Sequence, residues 1–210
     1  MAEPVFRDRN AKPIKETEWT RVYRAGDAFV HVSKFLEGGL QVSADSIRAR
    51  WPTFSFQEKL DFAQAFSAGG KATAEDERIL DFLMEAGDFH IWDAIALRLR
   101  HHRDKDRVLA FLLERIKEKG EYKANFFQAI GLMKNERAVR ALRAAYDDYR
   151  KRLGASLSSG ASLDYMDYLY CCAALWRIEG PSEYKQVIED ASRSQDEAVR
   201  ITAELILRDL

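Results

Sequence analysis

The chain has 210 residues, of which 47% are hydrophobic and 32% are charged, and its net charge is −1. The balanced charge excludes a strong overall attraction to nucleic acid or to an anionic membrane. The N-terminus lacks the apolar core of a signal peptide, and no apolar run is long enough to span a bilayer. Cys171 and Cys172 are adjacent, which suits neither a zinc site nor a disulfide. We therefore expect a cytoplasmic protein with no cofactor, no metal site and no membrane partner.

The N-terminal quarter of the chain differs from the rest. Residues 1–17 are polar and predict a flexible arm. Residues 18–54 predict a small β-rich cap, because 19–24 and 28–33 alternate apolar and polar side chains around a short turn and are rich in β-branched and aromatic residues. A third short strand is expected at 40–42. Such a small sheet needs a helical surface to cover in order to be stable.

Helical periodicity begins at Ser55, which forms a potential capping box with Glu58. Short breaks separate the apolar stripes that follow, and breaks of this length favour antiparallel neighbouring helices. The longest break, residues 154–162, predicts an insertion loop inside a repeat, either as a spacer or with a function of its own. The expected helices are 55–68, 75–86, 89–102, 104–118, 122–134, 136–153, 163–178, 182–193 and 197–209.

A repeated pattern organises these helices. Arg78, Arg107 and Arg137 each follow an acidic residue and precede apolar residues, and they lie 29 and 30 residues apart. A period near 30 residues with helical content is typical of stacked helix pairs. We expect each arginine to form ion pairs or to pack its stem between layers, as part of the repeat and not of a site.

Three segments carry a family resemblance. Residues 194–207 resemble the second helix of a HEAT repeat, while 129–142 and 174–182 resemble the junction of the HEAT-like repeats first noted in phycobilisome lyases. The resemblance extends over about residues 75–210. It implies an all-α, right-handed α-solenoid of about four helix pairs within 55–210, beneath the β-hairpin cap. The pairs would be 75–102, 104–134, 136–178 and 182–209, with small residues on the second helices allowing close helix approach.

The resemblance implies binding of a partner protein on the concave face, which the second helices line in this family. Tyr165 and Tyr168 lie one turn apart on one such helix and are flanked by acids. Tyrosines in this setting are good anchors, but core packing with the hydroxyl groups at the wet edge is the more frequent role of such tyrosines. Together with Asn125 and Gln128, one turn apart on the neighbouring inner helix, they suggest a non-catalytic scaffold module. The candidate partner-binding residues are Trp92, Asp93, Asn125, Gln128, Asp164, Tyr165, Asp167 and Tyr168.

Other functions leave weaker signals. No catalytic motif is present, so we expect no enzyme activity and no catalytic or metal-binding residues. Nucleic-acid binding is the alternative, because 98–119 and 134–152 are locally basic. HEAT-like alkylpurine DNA glycosylases place an aspartate one helical turn after a tryptophan. Here Asp93 directly follows Trp92, and Ala96 occupies the position one turn later, so the glycosylase pattern is not matched. HEAT-like iron hydroxylases carry His-Glu pairs, which this sequence lacks. A small-molecule or chromophore lyase would need a deep pocket with convergent polar groups.

Overall fold

The computed structural model describes residues 12–25, 28–35, 42–69, 73–119, 121–154, 163–180 and 183–210. These residues are mostly helical with one small antiparallel sheet, so the expected all-α class is confirmed. The chain divides into two compact units, Met1–Arg103 (unit 1) and Asp104–Leu210 (unit 2). The boundary expected between cap and helical region, after residue 54, lies inside unit 1. The solenoid arrangement stays a prediction.

The sheet has three strands in the order β1 (Lys15–Glu16), β2 (Thr20–Ala25) and β3 (Ala28–Ser33). Strands β2 and β3 pair along their whole length, which confirms the predicted hairpin. The prediction of a loose arm up to residue 17 is wrong at its end, because Lys15 and Glu16 pair with β2. The strand expected at 40–42 lies outside the described residues, except for Val42, which is not in a strand. Residues 1–11 and the turn residues 26–27 also lie outside them.

Unit 1 has four α-helices in the part of the chain that the structure describes. They are α1 (Ala44–Arg50), α2 (Phe56–Ser67), α3 (Ala74–Ala86) and α4 (Phe89–Leu99), with a 3-10 turn at Trp51–Thr53. The capping box predicted for Ser55 and Glu58 is present at the start of α2. Helix α2 packs against α4, and α3 packs against both α1 and α4.

Aromatic side chains hold the sheet of unit 1 on its helices. The buried Trp19 ring lies 4.9 Å from the ring of Phe62 on α2, edge to face. Trp51 continues the cluster, with its ring 5.5 Å from that of Phe82 on α3. Large buried aromatic groups dominate the energetics of small cores. The cap is therefore part of the core of unit 1.

Polar groups fix the position of the sheet on α2. Asp61 accepts hydrogen bonds from the hydroxyl groups of Thr17 at 2.7 Å and Thr20 at 3.1 Å. The buried Ser33 hydroxyl donates to the Ala65 carbonyl at 2.6 Å. Buried polar groups need such partners, so these bonds select one seating of the sheet.

Unit 2 contains the remaining described helices. They are α5 (Lys105–Arg115), α6 (Ala124–Met133), α7 (Val139–Leu153), α8 (Leu163–Glu179), α9 (Glu183–Ala191) and α10 (Glu197–Asp209), with a 3-10 turn at Glu136–Ala138 before α7. The pairs α5 with α6, α7 with α8 and α9 with α10 are in contact, as are α3 and α4 of unit 1. The pairing expected from the repeat is thus present inside each unit. Of the predicted loop at 154–162, only Gly154 is described.

Helix α8 is the centre of unit 2. It packs against α6, α7, α9 and α10. A helix with neighbours on several sides is apolar on most of its surface, and α8 is buried from Asp167 to Leu175 with the exception of half-buried Tyr170. Its approach to α6 is close: a Cβ atom added to Gly131 would lie 2.8 Å from the Ala174 Cα atom. The small residues on these second helices therefore do allow close packing.

Arg78 and Arg137, two of the repeated arginines, form the ion pairs that the sequence predicts. Arg78 donates to Asp45 at 2.8 Å and to Glu75 at 3.1 Å. Arg137 donates to Asp106 at 2.6 Å. Arg78 thereby reaches α1, and Arg137 reaches α5. The side chains are more than half exposed, so these pairs contribute little to stability.

Candidate functional site

A groove with a volume of about 820 Å³ opens in unit 2 beside helix α7. One wall comes from the end of α5 and the connection to α6, at residues 116–119, Glu121 and Lys123. The floor is one face of α7, and Leu163 and Asp164 at the start of α8 complete the rim. We call this site the α7 groove.

The Arg137–Asp106 ion pair joins the 3-10 turn before α7 to the first turn of α5.

The floor of the α7 groove is made of small side chains. Ala141, Ala144 and Ala145 lie at positions i, i+3 and i+4 of α7, which places them on one face. Ala144 is exposed. At the rim, Leu163 is 62% exposed, the largest fraction among the big hydrophobic side chains in the described ranges. Ala144 and Leu163 thus expose apolar surface beside the cavity.

Charged groups of both signs surround this floor. Four cations and four carboxylates line the groove: Lys117, Lys119, Lys123 and Arg152, and Glu118, Glu121, Asp148 and Asp164. Arg152 bridges two of the carboxylates, with its Nε atom 3.0 Å from Asp148 and its Nη1 atom 2.6 Å from Asp164. The site therefore has no excess positive charge.

A buried carboxylate ties the walls of the groove together from below. Asp167 of α8 is 1% exposed. It accepts hydrogen bonds from the Lys123 backbone N–H at 2.7 Å and the Tyr149 hydroxyl at 3.0 Å, and the Lys123 Nζ atom lies 3.8 Å away. Burial raises the pKa of Asp167 to about 6, although the hydrogen bonds and the Lys123 charge oppose the rise. Burial also raises the pKa of Tyr149, which keeps its hydroxyl protonated as a donor.

The structure places only part of the predicted surface in this site. Asp164 lines the groove and Asp167 lies beneath it. Tyr168 is 5% exposed and stacks on Tyr146, with ring centroids 5.3 Å apart, while Tyr165 is half-buried against Tyr168. Asp167 and Tyr168 are thus buried, and their role as partner contacts stays a prediction. The physical reason is that α8 has helices on several sides, so few of its positions reach solvent.

The other predicted residues do not line the α7 groove. Asn125 and Gln128 are half-buried on α6. Trp92 and Asp93 belong to unit 1 and are also half-buried. The Trp92 Nε1–H donates to the Leu83 carbonyl at 3.1 Å, which ties α4 to the end of α3. This hydrogen bond gives Trp92 a structural role that needs no binding partner.

Sequence reasoning missed the floor residues. Alanines carry no chemical signature, and on a helix they first suggest ordinary packing. The available signal was the alanine stripe on α7, at 141, 144 and 145, followed on the same face by Asp148 and Arg152. That pattern shows which residues share one face of the helix. It does not show whether another helix or loop covers that face.

The described residues give no indication of a metal or redox centre. None of their His, Cys, Asp and Glu side chains form a group of three or more that could hold a metal ion. Cys171 and Cys172 are free and buried, and burial raises the pKa of both thiols. A buried thiol with a raised pKa is a poor nucleophile. In the same described ranges, no helix has the length and apolar character needed to cross a membrane.

Comparisons of the chain with models of protein families, with curated proteins and with solved structures found no match.

Proposed function

We propose that this chain is a non-catalytic recognition module that binds a segment of another protein in the α7 groove. The helix pairs of each unit would be HEAT-like repeats, as the sequence resemblance implies, and the protein would act in the cytoplasm. The partner surface proposed here differs from the concave-face tyrosines expected at first, because Tyr168 is buried.

The observation that carries this proposal is the open small-residue floor of the groove. Ala144 and Leu163 keep apolar surface in contact with solvent next to a cavity of about 820 Å³. Burying apolar surface is favourable by about 25 cal/mol per Å². The backbone around the floor is held by α7 and by the buried Asp167 bonds, so little ordering cost is added on binding.

A small organic ligand is a second candidate, because the cavity volume falls in the range of ligand pockets and polar groups converge on it. Nucleic acid is disfavoured at this site. The groove lining has as many carboxylates as cations, and Arg152 is engaged by two carboxylates. Binding of a phosphate backbone depends on cations that are free to neutralise it.

A pair of alanine variants tests the proposal. Ala144→Trp fills the groove from an exposed position on α7, and Ala110→Trp adds the same side chain at an exposed position on α5 outside the groove lining. The wild-type protein and both variants are used as bait in native cytoplasm, and recovered proteins are quantified by mass spectrometry.

We expect at least one partner to be recovered with the wild type and with Ala110→Trp, and reduced about tenfold or more with Ala144→Trp. Circular dichroism checks that both variants fold. Identical recoveries with the two variants would refute binding in the α7 groove. If native mass spectrometry instead finds a small molecule that Ala144→Trp alone loses, the second candidate function is correct.

A further inference from the structure

We propose that Asp167 is a proton-operated clamp on one wall of the α7 groove. Its neutral carboxyl group keeps the connection between α5 and α6 closed against α8, and its carboxylate favours opening of that connection. The clamp deepens the proposed function, because it regulates a wall of the same groove. Its role in binding rests on that function, whereas the movement of the wall does not.

Asp167 joins three separate elements at one buried point. Its side chain projects from α8 and is 1% exposed. It accepts a hydrogen bond at 2.7 Å from the backbone N–H of Lys123, at the end of the connection between α5 and α6. It accepts a second at 3.0 Å from the Tyr149 hydroxyl on α7. Lys123 and Tyr149 both line the groove, so Asp167 holds the wall and the floor together from beneath.

The clamp supplies a hydrogen bond that the start of α6 lacks locally. Lys123 is the N-cap residue of α6, and its own side chain makes no capping hydrogen bond. Its Nζ atom instead donates to the Glu121 carbonyl at 2.5 Å. The first N–H groups of a helix need partners from outside the helix. Asp167, 44 positions away along the chain, therefore fixes the point at which the connection enters α6.

Several groups favour the carboxylate form of Asp167. The Lys123 N–H and the Tyr149 hydroxyl donate to it, and the Lys123 Nζ atom lies 3.8 Å away. The N-termini of α6 and of α8, which begins at Leu163, add the positive ends of two helix dipoles. The last turn of α7 carries three exposed cations, which are Arg150, Lys151 and Arg152.

Burial opposes these groups and outweighs them, because a carboxylate that is removed from water loses its hydration. The negative charge of Asp164, one turn earlier on α8, acts in the same direction as burial. The pKa of Asp167 is therefore raised from 3.8 to about 6. Helix α6 itself has no charged residue. The other titratable groups near α8 are the protonated thiol of Cys171, Asp190 of α9 beside Tyr165, and Asp209 of α10 beside Tyr170.

Opening of the wall relieves the burial. When Lys123 moves away from α8, water reaches Asp167 and its pKa returns toward 3.8. The closed form thus binds the proton more tightly than the open form. Protonation stabilises the closed wall, so the ratio of open to closed forms rises as the pH rises from about 4 to about 6. The two pKa values correspond to a rise on the order of 100-fold.

The test is amide hydrogen exchange of the Lys123 N–H in the full chain, measured by NMR between pH 4 and pH 7. Division of the measured rate by the intrinsic exchange rate gives the ratio of open to closed forms. We expect this ratio to rise on the order of 100-fold in the wild type. The amide of buried Ala173 on α8 reports opening of unit 2 as a whole, and it should exchange more slowly than Lys123 at every pH.

Two asparagine variants form a matched pair. Asp167→Asn keeps both hydrogen bonds but cannot ionise, so the ratio for Lys123 should no longer depend on pH. Asp147→Asn makes the same change at an exposed position of α7 and should behave as the wild type. Tyr149→Phe removes a hydrogen bond to the carboxylate, so the rise should move to higher pH. This last variant decides the question if Asp167→Asn does not fold; an unchanged midpoint would then refute the clamp.

Equal ratios for Lys123 and Ala173 would mean that the wall does not move separately from unit 2, which overturns the clamp. A ratio that is flat or falls with pH in the wild type overturns it as well, as does a rise that persists in Asp167→Asn. None of these measurements uses a partner. If the clamp is found but Ala144→Trp loses no partner, the proposed function alone falls. If the clamp is absent and Ala144→Trp loses a partner, the proposed function stands without this regulation.

Discussion

Replacing Asp167 by asparagine should remove a pH dependence from the stability of unit 2. Burial raises the pKa of this carboxyl in the folded protein from the ordinary value of 3.8 to about 6. Between these values the unfolded chain is ionised while the folded protein keeps its proton. The folded state then binds more protons, so the free energy of unfolding falls as the pH rises from about 4 to about 6.

The size of the effect follows from the two pKa values. A difference of one pH unit corresponds to about 1.4 kcal/mol, so the wild type should lose about 3 kcal/mol of stability from this group between pH 4 and pH 7. Asparagine cannot ionise. Its oxygen can accept from the Lys123 N–H, and its amide can donate to the Tyr149 hydroxyl, which preserves both hydrogen bonds.

The assay is urea denaturation at pH 4, 5, 6 and 7. Unfolding is monitored through the NMR signals of α8, so that the free energy of unfolding of unit 2 is measured separately. Subtracting the Asp167→Asn curve from the wild-type curve removes the contribution of all other groups. We expect this difference to fall by about 3 kcal/mol as the pH rises. Tyr149→Phe removes a hydrogen bond that stabilises the ionised form, so it should move the midpoint of the fall to higher pH.

The opposite result would refute the reasoning. If the Lys123 charge dominates over burial, Asp167 is ionised in the folded protein at low pH. The difference would then rise with pH, and Asp167→Asn would cost about 3–5 kcal/mol at pH 7 by breaking a buried ion pair. A flat difference would show that the group is not buried in solution.

Three further changes test the packing. Gly131→Ala should destabilise unit 2 by a net ~1–2 kcal/mol in urea denaturation, because overpacking against Ala174 outweighs the gain in helix propensity; an increase in stability would mean that α6 and α8 are farther apart. Trp19→Ala should cost unit 1 about 3–5 kcal/mol, measured in the same way. Ser55→Ala should cost about 1 kcal/mol and increase amide exchange in the first turn of α2.

The helices were predictable because their signals are local. Ser55 satisfies free N–H groups at the start of α2, and this depends on a residue only three positions away. The hairpin of β2 and β3 similarly depends on alternation within two short segments. The ion pairs of Arg78 and Arg137 were expected because each arginine stands beside acidic residues near a helix start.

The candidate site was only partly predictable. Of the eight predicted contact residues, Asp164 is the one that lines the groove. The tyrosine pattern on α8 indicated an anchor surface, but Tyr168 is covered by Tyr146 and the ring of Tyr184 lies 5.2 Å from that of Tyr146. The alanines of α7 indicated ordinary packing, yet Ala144 is exposed and lines the groove.

The sequence by itself determined where the helices and the hairpin lie, since periodicity, caps and turns act between residues a few positions apart. Only the tertiary structure decided which of their faces are covered. Asp167 acquires its raised pKa from burial among groups such as Lys123 and Tyr149, which are 44 and 18 positions away along the chain. Ala144 is exposed and Ala138 is buried, although the two alanines stand only six positions apart in the sequence. Burial and electrostatic environment depend on all neighbours in space, and a local pattern does not contain them.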